Sequence, residues 1–240
     1  MSLVSSLRSL PAPGSPFWSS VRAELGAGVP VLRHVLPNLL RSALTPNHTL
    51  LTVALENARE EPNGLAFEMD DERLSWKQLA DLTSRYARLL AQNGVRPGDN
   101  IVLMAHNSPR YIAWVLAATR AGATCALINY HLTGAPLAHA LKTSRAKLAI
   151  VEHTFAGAVE SAHIDGGKIL LFGTKDSDVE RALERIDDLR FPPVKRTGDD
   201  DFVYIYTSGT TGLPKPCRIS HTRGLLAGVL FGSVALELRP

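Results

Sequence analysis

The sequence has few cysteines, few aromatic residues and no long apolar run. Two of its 240 residues are cysteines, Cys125 and Cys217, and they lie far apart. Two distant cysteines exclude a disulfide framework and favour a reducing, intracellular setting. The stretch that comes nearest to a membrane span, residues 224–236, falls short of the roughly 18–20 apolar residues required and is diluted by glycine and serine. We therefore expect a cytoplasmic protein without a spanning helix.

A strong excess of one charge is also missing. The formal net charge is only +3, and basic residues do not alternate with aromatic ones, so we expect no nucleic-acid partner. The basic excess lies in residues 1–48, which we interpret as an N-terminal arm followed by helices. Part of residues 17–45 is helix-periodic. That pattern favours a helix packed on its own domain, with peripheral contact to an anionic membrane surface as the alternative.

From residue 49 onward, short apolar runs alternate with amphipathic stretches. Thr49 and Ser75 are placed to cap helices, and a short hairpin is predicted between them over 65–69 and 72–75. The strands predicted next are Ile101–Ala105, Thr124–Ile128, Lys147–Glu152, Lys168–Phe172 and Phe202–Tyr206. The predicted helices between them begin at Pro109 and end at Gly122, then cover Ala135–Ser144, Phe155–Ala162 and Ser177–Asp188. This alternation predicts an α/β fold with a mostly parallel sheet covered by helices on both faces.

One segment carries recognisable chemistry. An apolar strand that ends near Tyr206 runs into a loop of hydroxyls and glycines, which Lys215 closes. Glycines let backbone N–H groups approach an anion, hydroxyls donate to phosphate oxygens, and a lysine adds a mobile positive charge. The pattern predicts a polyphosphate-binding loop. It is not the ordinary P-loop, because prolines flank the lysine and the residues after it look extended. The alternative, a flexible hairpin turn with a surface lysine, is less consistent with so complete a pattern.

Other polar clusters give weaker signals. The eight histidines are scattered, and none has the spacing of a transition-metal site, so we predict no metal ligands. Residues 199–201 are three consecutive aspartates. Calcium loops use alternating oxygen ligands, so a solvated turn before a strand is the favoured interpretation here.

The segment Tyr204-Ile205-Tyr206-Thr207-Ser208-Gly209-Thr210-Thr211-Gly212-Leu213-Pro214-Lys215 resembles the phosphate-loop signature of the AMP-forming acyl-CoA synthetase superfamily. The tyrosine-flanked form is most similar to the fatty-acid transport protein and very-long-chain acyl-CoA synthetase branch. Supporting matches upstream lie at residues 74–79, 94–99 and 120–129. The resemblance implies a ligase that first forms an acyl-adenylate and pyrophosphate from a fatty acid and ATP with Mg²⁺. Coenzyme A, the co-substrate, then displaces AMP to give the thioester.

By this resemblance, the residues expected to bind the ATP phosphates form one continuous loop: Thr207, Ser208, Gly209, Thr210, Thr211, Gly212, Leu213, Pro214 and Lys215. His221 lies where the family often has a histidine, which implies either a place in the acyl pocket or a structural role. The Pro216-Cys217 pair departs from the family pattern and removes one backbone donor beside Lys215.

The chain reaches Pro240 before the family's later motifs, including its magnesium-linked glutamate and its adenylation lysine. We therefore expect the N-terminal portion of a larger enzyme that is inactive alone, with residues 49–240 forming a partial AMP-binding domain. Two alternatives stay open. One is a non-catalytic phosphate-loop module, and the other is a sister ligase that uses another carboxylate.

Overall fold

The computed structural model describes residues 45, 47–162, 168–208 and 213–230. Residues 45–225 form one compact unit. The predicted arm and helices of residues 1–48 lie almost wholly outside the described residues, so that boundary and the membrane contact of 17–45 stay predictions. In the part of the chain that the structure describes, no helix is both long enough and apolar enough to cross a bilayer.

The first elements are two capped helices with a hairpin between them. Helix α1 covers Leu50–Glu60, strands β1 and β2 cover Leu65–Met69 and Glu72–Ser75, and α2 covers Trp76–Gln92. The Ser75 hydroxyl accepts a hydrogen bond from the backbone N–H of Gln78 (3.2 Å), and the Gln78 side chain accepts one from the Ser75 N–H (2.8 Å). These reciprocal bonds satisfy N–H groups that would otherwise be orphaned at a helix start, which confirms the predicted cap.

A six-stranded sheet forms the centre of the fold, with strand order β6-β5-β3-β4-β7-β8. The first five of these strands are parallel, and β8 runs antiparallel to β7 at one edge. The strands are β3 Asn100–Met104, β4 Thr124–Leu127, β5 Ala146–Glu152, β6 Lys168–Phe172, β7 Asp201–Ser208 and β8 Pro214–Ser220. The helices that follow in chain order are α3 Pro109–Arg120, α4 Gly134–Ser144, α5 Ala156–Ser161, α6 Asp178–Leu183 and α7 His221–Leu230.

Two apolar cores cover the two faces of the sheet, as the α/β pattern predicts. Ile101 and Leu103 of β3 pack with α1, α2, α3 and α6 on one face. Val102 and Met104 of the same strand pack with α4 and α5 on the other. Alternate residues of a strand point to opposite faces, so a strand buried on both sides reads as a continuous apolar run. This explains why β3, β4 and β5 were readily predicted.

The predicted elements differ from the observed ones mainly near the chain's last third. The helix predicted over 177–188 ends at Leu183, because the following turn places Ile186 in the core and lets Asp188 accept a hydrogen bond from Arg88 (3.1 Å). Strand β7 extends to Ser208, two residues beyond the predicted end, because it pairs with β8 as well as β4.

Candidate functional site

The predicted phosphate loop connects β7 to β8. Because β7 is parallel to β4, the loop leaves the sheet at the carboxyl end of the parallel strands. Thr207 lies directly opposite Lys215 in the antiparallel pair, and both residues are exposed. Side chains of directly opposed residues share one face of a sheet with their Cβ atoms about 5 Å apart. The hydroxyl and the ammonium group therefore flank the mouth of the loop together. Residues 209–212, the glycines and threonines of the loop's centre, lie outside the described residues.

Side-chain contacts beneath α4 position β7, the strand that enters this loop. Tyr204 and Tyr206 pack against the core beneath α4. The Tyr206 hydroxyl lies 3.4 Å from the Thr143 hydroxyl of α4, and burial raises the pKa of Tyr206. Pro214 is buried where the chain leaves the loop, next to the exposed Lys215. Both sides of the loop mouth are thus anchored, which limits how far Thr207 and Lys215 can separate.

Lys215 is available to an anion, in contrast to the next cation along the strand. Its ammonium group makes no hydrogen bond or ion pair with the residues that the structure describes. Arg218, three residues further along β8, pairs with Asp201 at 2.9 Å. Tyr204 also donates a hydrogen bond to Asp201, at 2.9 Å. Since Asp201 already neutralises Arg218, the free positive charge of the hairpin lies at the loop.

His221 lies at the other end of the hairpin. It follows Ser220, which pairs with the first residue of β7, and its N–H donates to the Asp200 carbonyl (3.1 Å). Six residues of extended strand place it about 20 Å from Lys215. Its side chain is 0% exposed, and neither ring nitrogen has a hydrogen-bond partner among the described residues. The structure does not bring His221 together with the phosphate loop, and both roles weighed for it, in the acyl pocket or in the structure, stay predictions.

Burial also fixes the charge state of that histidine. Loss of hydration lowers the pKa of His221 to about 4, and the nearby positive charge of Arg196 acts in the same direction. The ring is therefore neutral at physiological pH. It lies 5.0 Å from the ring of Phe202, centroid to centroid, as part of the packing beneath α7.

The aspartates before β7 build the turn rather than an open cluster. The backbone N–H of Thr197 donates to the Asp200 carboxylate (2.7 Å), which lowers the pKa of Asp200. Asp201 is engaged by Arg218 and Tyr204. These contacts agree with the turn interpretation. The described residues contain no group of three or more His, Cys, Asp or Glu side chains arranged to hold a metal ion.

A second polar group at the same edge of the sheet was missed by sequence reasoning. His106 lies two residues beyond the end of β3, Glu152 is the last residue of β5, and Tyr130 lies three residues beyond the end of β4. The structure brings these residues together, with His106 hydrogen bonded to Glu152 and 4.6 Å from the Tyr130 ring. The spacing of these residues in the sequence gives no metal signal. The signal that points to them is their position just after the carboxyl ends of neighbouring strands.

Comparison with known proteins identifies the family. The family model "AMP-binding enzyme" matches residues 55–238, which is more than half of the chain and includes the β7–β8 hairpin. The chain belongs to the AMP-binding enzyme family. The medium/long-chain fatty acid–CoA ligase FadD6 of Mycobacterium tuberculosis is 31% identical over 90% of the chain. The long-chain fatty acid transport protein 1 of mouse is 34% identical over 69% of it. These relatives agree with the family resemblance noted in the sequence.

Solved protein structures share the fold. The anthranilate CoA ligase AuaEII, in complex with anthranoyl-AMP, superposes with a TM-score of 0.73 at 21% identity over 80% of the chain. At that identity the likeness concerns the fold alone, and it confirms the α/β architecture. The chain spans only part of these proteins: 38% of FadD6, 28% of the mouse transport protein and 37% of AuaEII.

Proposed function

We propose that the chain is the N-terminal portion of a long-chain or very-long-chain fatty acyl-CoA ligase. The reaction converts ATP, a fatty acid and coenzyme A to acyl-CoA, AMP and pyrophosphate through an acyl-adenylate. The observation that carries the proposal is the Thr207–Lys215 pair at the carboxyl edge of the sheet, within the family-matched segment. The names of the relatives FadD6 and transport protein 1 support a fatty acid as the carboxylate.

In the first step the fatty carboxylate attacks the α-phosphate of ATP, and pyrophosphate leaves. The loop from Thr207 to Lys215 holds the β- and γ-phosphates. Hydroxyl and backbone N–H donors fix their oxygens, and the ammonium group of Lys215 stabilises the negative charge that grows on the leaving group. Lys215 is exposed and has no carboxylate partner among the described residues, which suits this role because no ion pair with them has to be broken first.

Mg²⁺ and coenzyme A are part of the proposed reaction, since the family resemblance implies both. No cluster of three metal-binding side chains occurs in the described part of the chain, so we assign no metal ligand here and derive no step from the ion. We also propose that residues 49–240 are a partial AMP-binding domain, which the family match over 55–238 supports.

Nucleotide binding tests the proposed loop directly. ATP and inorganic pyrophosphate are titrated calorimetrically into the chain and into Lys215→Ala, which we expect to bind both about tenfold more weakly through loss of one charge-assisted contact. Lys168→Ala is the matched control. Lys168 is also exposed but begins β6, at the opposite edge and opposite end of the sheet. Equal affinities in the wild-type chain and Lys215→Ala would contradict the phosphate role.

The substrate is tested separately, by ATP–pyrophosphate exchange in the protein as its source makes it. Fatty acids of twelve to twenty-four carbons are compared with short-chain and aromatic carboxylates. Exchange that depends on the fatty acids supports the proposal. Exchange with aromatic acids alone would replace it with a sister ligase, and ATP binding without exchange would indicate a non-catalytic phosphate-loop module.

A further inference from the structure

The connections between strands change from one face of the sheet to the other at the carboxyl end of β3. Helix α3, which follows β3, packs on one face of the sheet, whereas α4 and α5, which follow the two flanking strands β4 and β5, pack on the other. The helix that follows β3 and the helices that follow its two neighbours therefore lie on opposite faces of the sheet. In open α/β sheets such a point leaves a crevice outside the strand ends where ligands bind. The carboxyl ends of β3 and β7 are two strand spacings apart, about 10 Å.

A histidine–carboxylate pair occupies this crevice. The Nδ1 atom of His106 lies 3.0 Å from each carboxylate oxygen of Glu152, and the His106 backbone N–H donates to the same carboxylate (2.8 Å). A carboxylate accepts hydrogen bonds, so Nδ1 carries the ring proton and Nε2 presents a lone pair. Glu152 thus determines both the orientation and the tautomer of the ring.

Aromatic rings hold His106 in place without covering it. The Tyr130 and Phe155 rings lie 4.6 and 4.8 Å from the imidazole, centroid to centroid. The His106 side chain is nevertheless 51% exposed, and Nε2 has no hydrogen-bond partner among the described residues. The imidazole is therefore oriented by one carboxylate, restrained by two rings and open at the nitrogen that can accept a proton.

The proposed reaction needs such a group in one of its two steps. A fatty acid is already ionised at neutral pH, so adenylation releases no proton from it. The thiol must lose its proton to become the sulfur of a thioester, and the thiolate is the nucleophile. The side chains of the phosphate loop are hydroxyls and an ammonium group, which serve the phosphates as donors. The oriented imidazole of His106, about 10 Å away along the sheet edge, has an open nitrogen that can accept a proton.

We propose that His106 is the general base of the acyl-transfer step and that Glu152 is its positioning residue. This inference rests on the proposed ligase function. Nε2 accepts the thiol proton while the sulfur attacks the acyl carbonyl of the adenylate. The new carbon–sulfur bond replaces the bond between that carbon and the phosphate oxygen, and AMP leaves with the electron pair. The proton on His106 then passes to solvent through its exposed edge.

The test isolates acyl transfer from adenylation. Synthetic acyl-adenylate and coenzyme A are mixed with the protein as its source makes it, and thioester formation is followed in a single turnover. For His106→Ala we expect about a hundredfold lower rate, in the range lost with a general base, and partial rescue by added imidazole. For Glu152→Gln we expect a roughly tenfold lower maximal rate at an unchanged half-saturating concentration of coenzyme A, because His106 remains but loses its orienting charge.

His153→Gln is the matched control, since His153 is exposed next to Glu152 but its imidazole makes no hydrogen bond with the described residues. A wild-type rate in His106→Ala, or no transfer from synthetic acyl-adenylate by the wild-type protein, would overturn the assignment. A rate lost in His106→Ala and in His153→Gln alike would overturn it too. If ATP–pyrophosphate exchange fails with every carboxylate while transfer still depends on His106, the proposed adenylation is wrong and the role of His106 stands.

Discussion

The buried His221 makes a quantitative prediction about stability in mild acid. Its pKa falls from an ordinary value of 6.5 to about 4 in the folded chain. Between pH 6.5 and about pH 4, this histidine is protonated in the unfolded chain but stays neutral in the folded chain. The free energy of unfolding therefore falls as the pH drops below 6.5, and the loss is complete below about pH 4. The full loss is about 3 kcal/mol, of which about 2 kcal/mol falls between pH 7.5 and pH 5. Because the side chain is fully buried, solvent screening does not reduce this value.

Urea denaturation at several pH values measures this effect. Carboxylates such as Asp200 also titrate in acid, so the wild-type chain is compared with His221→Phe and with His221→Gln, neither of which titrates there. Between pH 7.5 and pH 5, the free energy of unfolding of the wild type should fall by about 2 kcal/mol more than that of each variant. A difference that stays constant over this range in both variants would refute the account of His221 as a buried neutral histidine.

Two further substitutions test how local geometry supports the sheet. Gly122 has φ +76°, and a Cβ there would lie 2.8 Å from Cγ1 of Val194, so Gly122→Ala should lower the free energy of unfolding by about 2–3 kcal/mol. Gly157→Ala, with open space and no positive φ, is its control, and equal melting temperatures for the two would contradict the explanation. Ser75→Ala removes a reciprocal helix cap and should cost about 1 kcal/mol in urea denaturation, whereas Ser75→Asp, which still caps, should cost less.

Much of the fold followed from local signals in the sequence. Glycines and prolines delimit the strands, and a strand buried on both faces has an apolar run that needs no knowledge of its neighbours. The end of α6 did not follow, because Asp188 is held by Arg88, a hundred positions away. Nor did the full length of β7, which depends on its pairing with β8.

The candidate site also has a part that could be predicted from the sequence and a part that could not. The phosphate loop is one continuous segment, so its pattern of residue types can be recognised in the sequence alone. The crevice at β3 joins His106 to Glu152 from different strands, and only the strand order brings them together. His221 shows the converse case, since six residues that look close in sequence become about 20 Å when the strand is extended.

The position of Cys217 gives this protein a built-in reporter. Cys217 is exposed on β8 and lies two residues from Lys215, on the same side of the strand. The other cysteine, Cys125, is buried in the sheet, and burial raises the pKa of its thiol, so it stays protonated and unreactive. A maleimide fluorophore should therefore label the native chain at one place, beside the phosphate loop. Occupancy of the loop would then be visible as a change in emission, without any engineered cysteine.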